Sequence, residues 1–184
     1  MDKFFVDFIC KNVEASANLC KLMAKKESIY QPTEIHQEFE CMLDDKSRIL
    51  IPAALKKQLP ACANENFVIV RGTDNCLNMY PEHEWAIIKQ KLSMLNLQNS
   101  KNRAAVRLFT SGLFTTSLDA GGRLLLPKNL CEEKGIKKEL VLNGMGKMFE
   151  LWDKKEYRKK VSETNPEESD AIINETLGSI DFQI

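Results

Sequence analysis

The sequence is poor in the residues that build metal and redox sites. Only two of its 184 residues are histidines, His36 and His83. The six cysteines are Cys10, Cys20, Cys41, Cys62, Cys76 and Cys131; they contain no C-x-x-C pair, and the closest two lie ten residues apart. Such spacing excludes the usual zinc and thioredoxin-like motifs. Scattered thiols of this kind behave as small hydrophobes in a reducing compartment. No metal and no cofactor is expected. No apolar run approaches the ~18 residues that cross a bilayer. The apolar start, Phe4 to Cys10, carries Asp2 and Asp7 and has no small-residue cleavage site, so it makes a poor secretory signal. There is no G-x-G-x-x-G after a strand, no G-x-S-x-G, no H-E-x-x-H and no P-loop. The chain is therefore not expected to be an enzyme or to take a small-molecule substrate.

Net charge is also lacking: 26 Lys+Arg stand against 26 Asp+Glu. That argues against coating nucleic acid by bulk charge, but the charges are unevenly spread. From Val161 to Ile184 there are six acids and no base, and without that stretch the chain carries +6. From Ala86 to Leu118 there is no acid, and Lys89, Lys91, Lys101, Arg103 and Arg107 supply five bases. A mildly basic body with an acidic tail suits a polyanionic partner, although a solvated helix face has the same composition.

What the sequence does have is an internal repeat. Leu43-Asp44-Asp45-Lys46-Ser47-Arg48-Ile49-Leu50-Ile51-Pro52 matches Leu118-Asp119-Ala120-Gly121-Gly122-Arg123-Leu124-Leu125-Leu126-Pro127 at a constant offset of 75. Downstream, Gly72, Tyr80 and Trp85 match Gly144, Trp152 and Tyr157 at an offset of 72. This reading places a loss of three residues between Leu130 and Gly144. Each copy reads as ββαββ. A short alternating strand leads to a tight turn headed by Asp, whose side chain accepts backbone hydrogen bonds two residues on. A second strand follows, Arg48–Ile51 or Arg123–Leu126. Pro52 and Pro127 then sit where a short helix starts, and two more strands complete the copy. Gly121-Gly122 gives the second turn positive-φ freedom, whereas Lys46-Ser47 makes the first more constrained. A unit this small buries little core alone. The two copies are expected to complete each other by interleaving hairpins about a pseudo-twofold axis. The expected fold is thus α+β, mainly β, with both units forming a small barrel joined by helices. One connecting helix carries the stripe Trp85, Ile88, Leu92 and Leu95, and a second covers about 100–111. The expected division is an extension over 1–36, repeats over 37–85 and 112–160, a connector over 86–111 and an acidic tail over 161–184.

These residues resemble the MraZ family, a tandem version of the AbrB/SpoVT-type swapped-hairpin fold. The resemblance rests on the paired D-x-x-x-R turns, Asp44 to Arg48 and Asp119 to Arg123, each followed by an apolar-Pro step. It rests also on Tyr80-Pro81-x-x-x-Trp85 and on Phe149-Glu150-Leu151-Trp152-Asp153. It covers about 37–161. It implies a bacterial, cytoplasmic, nucleoid-associated transcriptional regulator of the division and cell-wall gene cluster, its own promoter included. It implies a ring-shaped homo-oligomer that binds short direct repeats in double-stranded DNA. The chain departs from the pattern in two places. Residues 1–36 precede the family's usual start, either as a helical extension with Phe5, Ile9, Val13, Cys20 and Met23 on one side, or through a start codon set upstream of Met23. The first turn has Ser47 where the family usually has Gly.

A two-stranded β element fits the DNA major groove, and arginine's planar fork matches guanine or a phosphate. Arg48, with Lys46 beside it, is ranked first as a DNA contact, and Arg123 second. Ser47, Gly121 and Gly122 complete the two DNA-facing turns. Asp44 and Asp119 are read as turn-structural, because a carboxylate facing phosphate is repelled. The competing reading for each arginine is an ion pair with the Asp four positions earlier. Lys101, Arg103 and Arg107 are read as a solvated helix face, Tyr80, Trp85, Phe149 and Trp152 as core or subunit contact, and His83 as a surface residue. The rival functional class is an antitoxin-like protein of the same fold, binding DNA with one end and a protein through its acidic tail. Such proteins usually carry one copy of the unit and dimerise.

Overall fold

The computed structural model describes residues 33–59 and 65–163. The expectations for residues 1–32 and for the tail beyond 163 lie outside the described residues. In chain order the strands are β1 Glu38–Met42, β2 Arg48–Leu50, β3 Asn66–Arg71, β4 Cys76–Pro81, β5 Phe114–Ser117, β6 Arg123–Leu125, β7 Glu139–Gly144 and β8 Phe149–Asp153. The helices are α1 Ala53–Gln58, α2 Glu82–Ser93, α3 Ser100–Thr110, α4 Lys128–Glu133 and α5 Lys154–Glu163. Pro52 and Pro127 are the N-caps of the two six-residue helices, which begin at Ala53 and Lys128. A proline there sacrifices no intrahelical donor, and its fixed φ leads the chain in.

Six strands form one antiparallel sheet in the order β1-β7-β8-β4-β3-β5, and β2 pairs with β6 in a separate ribbon. The hairpins are exchanged as expected. β1 of the first copy lies on β7 of the second, and β5 of the second lies on β3 of the first. The order is its own mirror image under exchange of the copies, so a pseudo-twofold axis passes between β4 and β8. The self-equivalent pairs Asn78↔Glu150 and Ile49↔Leu124 lie on that axis. The six-stranded ladder does not close into a barrel. Single bridges, Leu43↔Ile49 and Leu118↔Leu124, join its edge strands to the β2–β6 ribbon.

The register refines the repeat. Arg71 pairs with Leu77 in the first copy, and Gly144 with Phe149 in the second. Strands β3 and β7 therefore correspond at an offset of 73, and β4 and β8 at 72. Two residues are lost before β7 and one in the β7–β8 turn, rather than three in a single loop. Gly144 is the structural partner of Arg71, not of Gly72, because two glycines in neighbouring turn positions had aligned by identity alone.

Alternation explains the core. In β1 Phe39 and Cys41 point inward while Glu38, Glu40 and Met42 point out, the period of a strand with one wet face. The central strands read as continuous apolar runs because helices cover their other face. Ile49, Leu55, Phe67, Ile69, Leu77, Met79, Leu124, Leu130, Leu140, Leu142, Phe149 and Leu151 have no exposed surface and belong to one cluster drawn from both copies. Neither copy encloses this cluster alone, which is why the unit is tandem. On the far face Trp85 of α2 packs on Val68, Val70 and Tyr80, and Phe109 of α3 stacks on Trp85 with ring centroids 5.8 Å apart. The α2 stripe holds for two turns: Trp85 is buried, Ile88 and Leu92 are half-buried, and Leu95 lies exposed beyond the helix end at Ser93.

Candidate nucleic-acid interface

The two D-x-x-x-R turns project from the β2–β6 ribbon as a pair of corners. Their backbones are built alike. Asp44 Oδ1 accepts the N–H groups of Lys46 and Arg48, each at 2.9 Å, and Asp119 Oδ1 accepts those of Gly121 and Arg123 at 2.8 and 2.9 Å. The Asp44 N–H donates to the Arg48 carbonyl and the Asp119 N–H to the Arg123 carbonyl, both at 2.8 Å. Each carboxylate thus satisfies a turn that would otherwise leave two donors unpaired. The third turn residue is left-handed in both copies, with φ of 58° at Ser47 and 73° at Gly122. Only glycine takes that conformation without strain, so the first corner carries a cost the second avoids.

The side chains differ. Arg48 folds onto Asp44: its Nε and Nη2 both donate to Asp44 Oδ2, at 2.9 and 2.7 Å, and its Nη1 lies 3.8 Å from Asp119 Oδ2. The ion-pair reading therefore holds for Arg48. Two of its five N–H donors are committed to Asp44, and three remain. The side chain is half-buried. Arg123 makes no side-chain hydrogen bond or ion pair among the described residues, and it is exposed. Charge follows this geometry. The Arg48 side chain is the main reason Asp44 titrates below the usual carboxylate range, and the same hydrogen bond raises Arg48. Asp119 is lowered mainly by the Arg123 backbone N–H.

Arg48, Leu50, Arg123 and Leu125 share the outer face of the ribbon, while Ile49 and Leu124 are buried behind it. Lys46 and Gly121 are exposed at the corner tips and Ser47 is half-buried. Gly122 is buried, its N–H bonded to the Asp119 carbonyl and its carbonyl to the Ile51 N–H. Its part in the turn is conformational.

Lys101 and Arg107 lie on the exposed side of α3, and Arg103 donates to the carbonyls of Leu97 and Gln98, each at 2.8 Å. Tyr80, Trp85, Phe149 and Trp152 are all buried. His83 is not a surface residue: its side chain is 10% exposed, with Nε2 3.1 Å from Thr33 Oγ1 and 3.5 Å from a carboxylate oxygen of Glu84. Burial lowers its pKa. Charged neighbours in sequence suggested a wet site, but the arm around Thr33 covers it from far along the chain.

Sequence reading passed over the lysines around the first corner. Lys128, Lys137 and Lys138 line a groove of about 310 Å³ whose other wall is Leu43, Asp44, Asp45 and Ser47. The sequence alone does not show the contrast, because setting Lys138 against Glu65 needs the offset of 73 that only the strand register supplies.

Comparison with known proteins agrees with the geometry. A family model described as MraZ protein, antitoxin-like, matches residues 35–108 and again 109–179. The protein from Christiangramia forsetii named transcriptional regulator MraZ is 39% identical over 145 residues, covering 78% of this chain and 93% of that one. Proteins of the same name from Flavobacterium psychrophilum and Pediococcus pentosaceus are 36% and 39% identical, covering 77% and 79% of this chain and 90% and 96% of theirs. With two tandem domains matched and the exchanged hairpins in place, the chain belongs to the MraZ family.

Proposed function

We propose that this protein, whose relatives are named transcriptional regulators, acts by binding DNA sequence-specifically. In this reading it acts without catalysis in the cytoplasm, at the nucleoid. It assembles as a homo-oligomeric ring on short direct repeats in the promoter of a division and cell-wall gene cluster, its own promoter included. The observation that carries the reading is the outer face of the β2–β6 ribbon, where Arg48 and Arg123 stand on opposite strands with their turns exposed. A two-stranded ribbon fits the ~12 Å major groove, and a guanidinium matches guanine O6 and N7. Asp44 preorganises Arg48 while leaving three donors for a base or phosphate. Lys46 adds a mobile charge at the tip. Ser47, Gly121 and Gly122 shape the corners, Gly122 without touching the duplex. Copies related by rotation in a ring present their corners head to tail, which suits direct repeats, and many weak contacts then act together.

The test is a gel shift with the duplex immediately upstream of the protein's own gene. Wild type is expected to bind it in preference to a random duplex. Arg48→Ala is expected to lose that preference with oligomer size unchanged, and undiminished binding by Arg48→Ala would refute the role. The antitoxin-like reading retains support from the family description and from the acid-rich, base-free end of the chain. Light scattering separates the two: a large ring supports the regulator, and a dimer supports the antitoxin.

A further inference from the structure

We propose that Lys128, Lys137, Lys138 and Lys155 form a second DNA contact, to the phosphate backbone, which makes the first corner the leading one of the pair; this rests on the DNA-binding reading above. Three grooves run together beside that corner. The first, about 460 Å³, is walled by Asp45, Lys46 and Ser47 on one side and Pro127, Lys128 and Asn129 on the other. It shares Lys128 with the groove of about 310 Å³ described above. That groove in turn shares Lys137 and Lys138 with a third, about 270 Å³, which adds Lys154 and Lys155. The result is one lysine-lined path leading away from Arg48.

The pseudo-twofold axis supplies an internal control. Leu43 N–H donates to the Lys138 carbonyl at 2.8 Å, and its counterpart Leu118 N–H donates to the Glu65 carbonyl at 3.0 Å. The residue beside each corner is thus lysine at the first and glutamate at the second. Lys128, first in α4, answers to Ala53, first in α1, and Lys155 answers to His83. The second corner has Lys56 and Lys57 in α1, but Glu65 lies 3.4 Å from the Lys56 amine. The backbone is the same on both sides, and the charge is not.

The four amines are available. Lys137, Lys138 and Lys155 make no side-chain ion pair among the described residues, and all are exposed. Lys128 meets Glu132 only at 3.8 Å, with both side chains mostly in solvent. Lys154 is excluded because Glu40 holds it at 2.9 Å. Of the acids on the path, Asp153 is turned inward, accepting the backbone N–H groups of Lys137 and Lys155 at 3.2 and 3.0 Å. Asp44 is held by Arg48, and the exposed Asp45, Glu132 and Glu139 are outnumbered by the four lysines. Lysine is a point charge without a planar fork, so such a path tracks phosphates and does not read bases.

The experiment measures how binding varies with salt for two duplexes of equal length, the region upstream of the gene and a random sequence. Each phosphate contact adds about 0.9 to the slope of log K against log salt. Replacing all four lysines by glutamine is expected to flatten the slope by ~2–3.5 for each subunit on the duplex and to weaken both duplexes alike. Glu65→Lys is expected to steepen it by about one contact per subunit. An unchanged slope in the quadruple variant, with Arg48→Ala still losing the upstream duplex, overturns this inference and spares the DNA-binding reading. Wild type that binds neither duplex overturns both.

Discussion

The first and second corners share a backbone and differ in almost everything attached to it. Both turns are closed by an Asp that accepts two N–H groups, and both have a left-handed third residue. Yet Arg48 is clamped to Asp44 beside a lysine-lined path, whereas Arg123 makes no side-chain ion pair among the described residues and its corner is flanked by Glu65. A duplication preserves what the fold requires, here the Asp, the turn and the apolar residue behind it. Side chains that touch only solvent or a partner are free to diverge. The difference between the corners is therefore where function is to be sought.

The largest expected effect tests what they share. Ile49 and Leu124 face each other on the pseudo-twofold axis, each with no exposed surface. Ile49→Ala and Leu124→Ala should each lower stability by ~2–5 kcal/mol, and by similar amounts, read from urea unfolding. Widely unequal losses would show that the ribbon is not packed symmetrically.

Next comes the contrast in DNA binding. A well-placed arginine contributes ~1–3 kcal/mol of discrimination at a base, and a ring multiplies that over its subunits. Arg48→Ala should abolish preference for the upstream duplex, and Arg123→Ala should weaken it less. Equal losses by titration would make the corners equivalent in use as well as in backbone.

A smaller effect separates the turns. Gly122→Ala has room for its methyl group, the nearest neighbour being the Lys56 amine at 3.6 Å. Its cost is therefore conformational, ~1–2 kcal/mol. Ser47→Gly relieves the same strain but adds chain entropy in the unfolded state, so a gain of ~0.5 kcal/mol is expected. Thermal melts of the two variants should move in opposite directions.

Titration gives the smallest contrast. Asp44 and Asp119 are both held below their usual range. A lowered folded pKa contributes stability present above the unfolded value and lost as pH falls through the folded one. Both corners should loosen in acid below about pH 4. At the other end, burial raises the thiols of Cys41, Cys76 and Cys131 to about 11. Folding then binds protons more tightly than the unfolded chain does, so this contribution is intact below about pH 9 and is lost as pH rises toward 11. Melting temperature followed from pH 8 to 11 should fall, and should fall less in a Cys131→Ala variant once its baseline is subtracted.

Much of this was legible in the sequence because the repeat recorded it twice. Two Asp–Arg turns at a fixed offset identify the corners, and the apolar run after each arginine identifies a second strand, whereas the pairing of those two strands in a ribbon of their own was not legible. The exchange of hairpins followed from the small size of one copy. The register of β7 was not legible, since Gly72 and Gly144 are identical residues in non-equivalent places, and only hydrogen-bond pairing separates them. The burial of His83 was hidden because its cover comes from Thr33, fifty residues away. The pairing of Arg48 rather than Arg123 with its own Asp depends on rotamers that the shared motif does not distinguish.

The central claim is that the first corner grips the duplex. It is tested most directly by titrating wild type, Arg48→Ala and Arg123→Ala side by side against the labelled duplex upstream of the gene, with oligomer size checked in the same buffer. The account predicts that Arg48→Ala is reduced to its affinity for random DNA while Arg123→Ala keeps part of its preference. Arg48→Ala binding as well as wild type contradicts it.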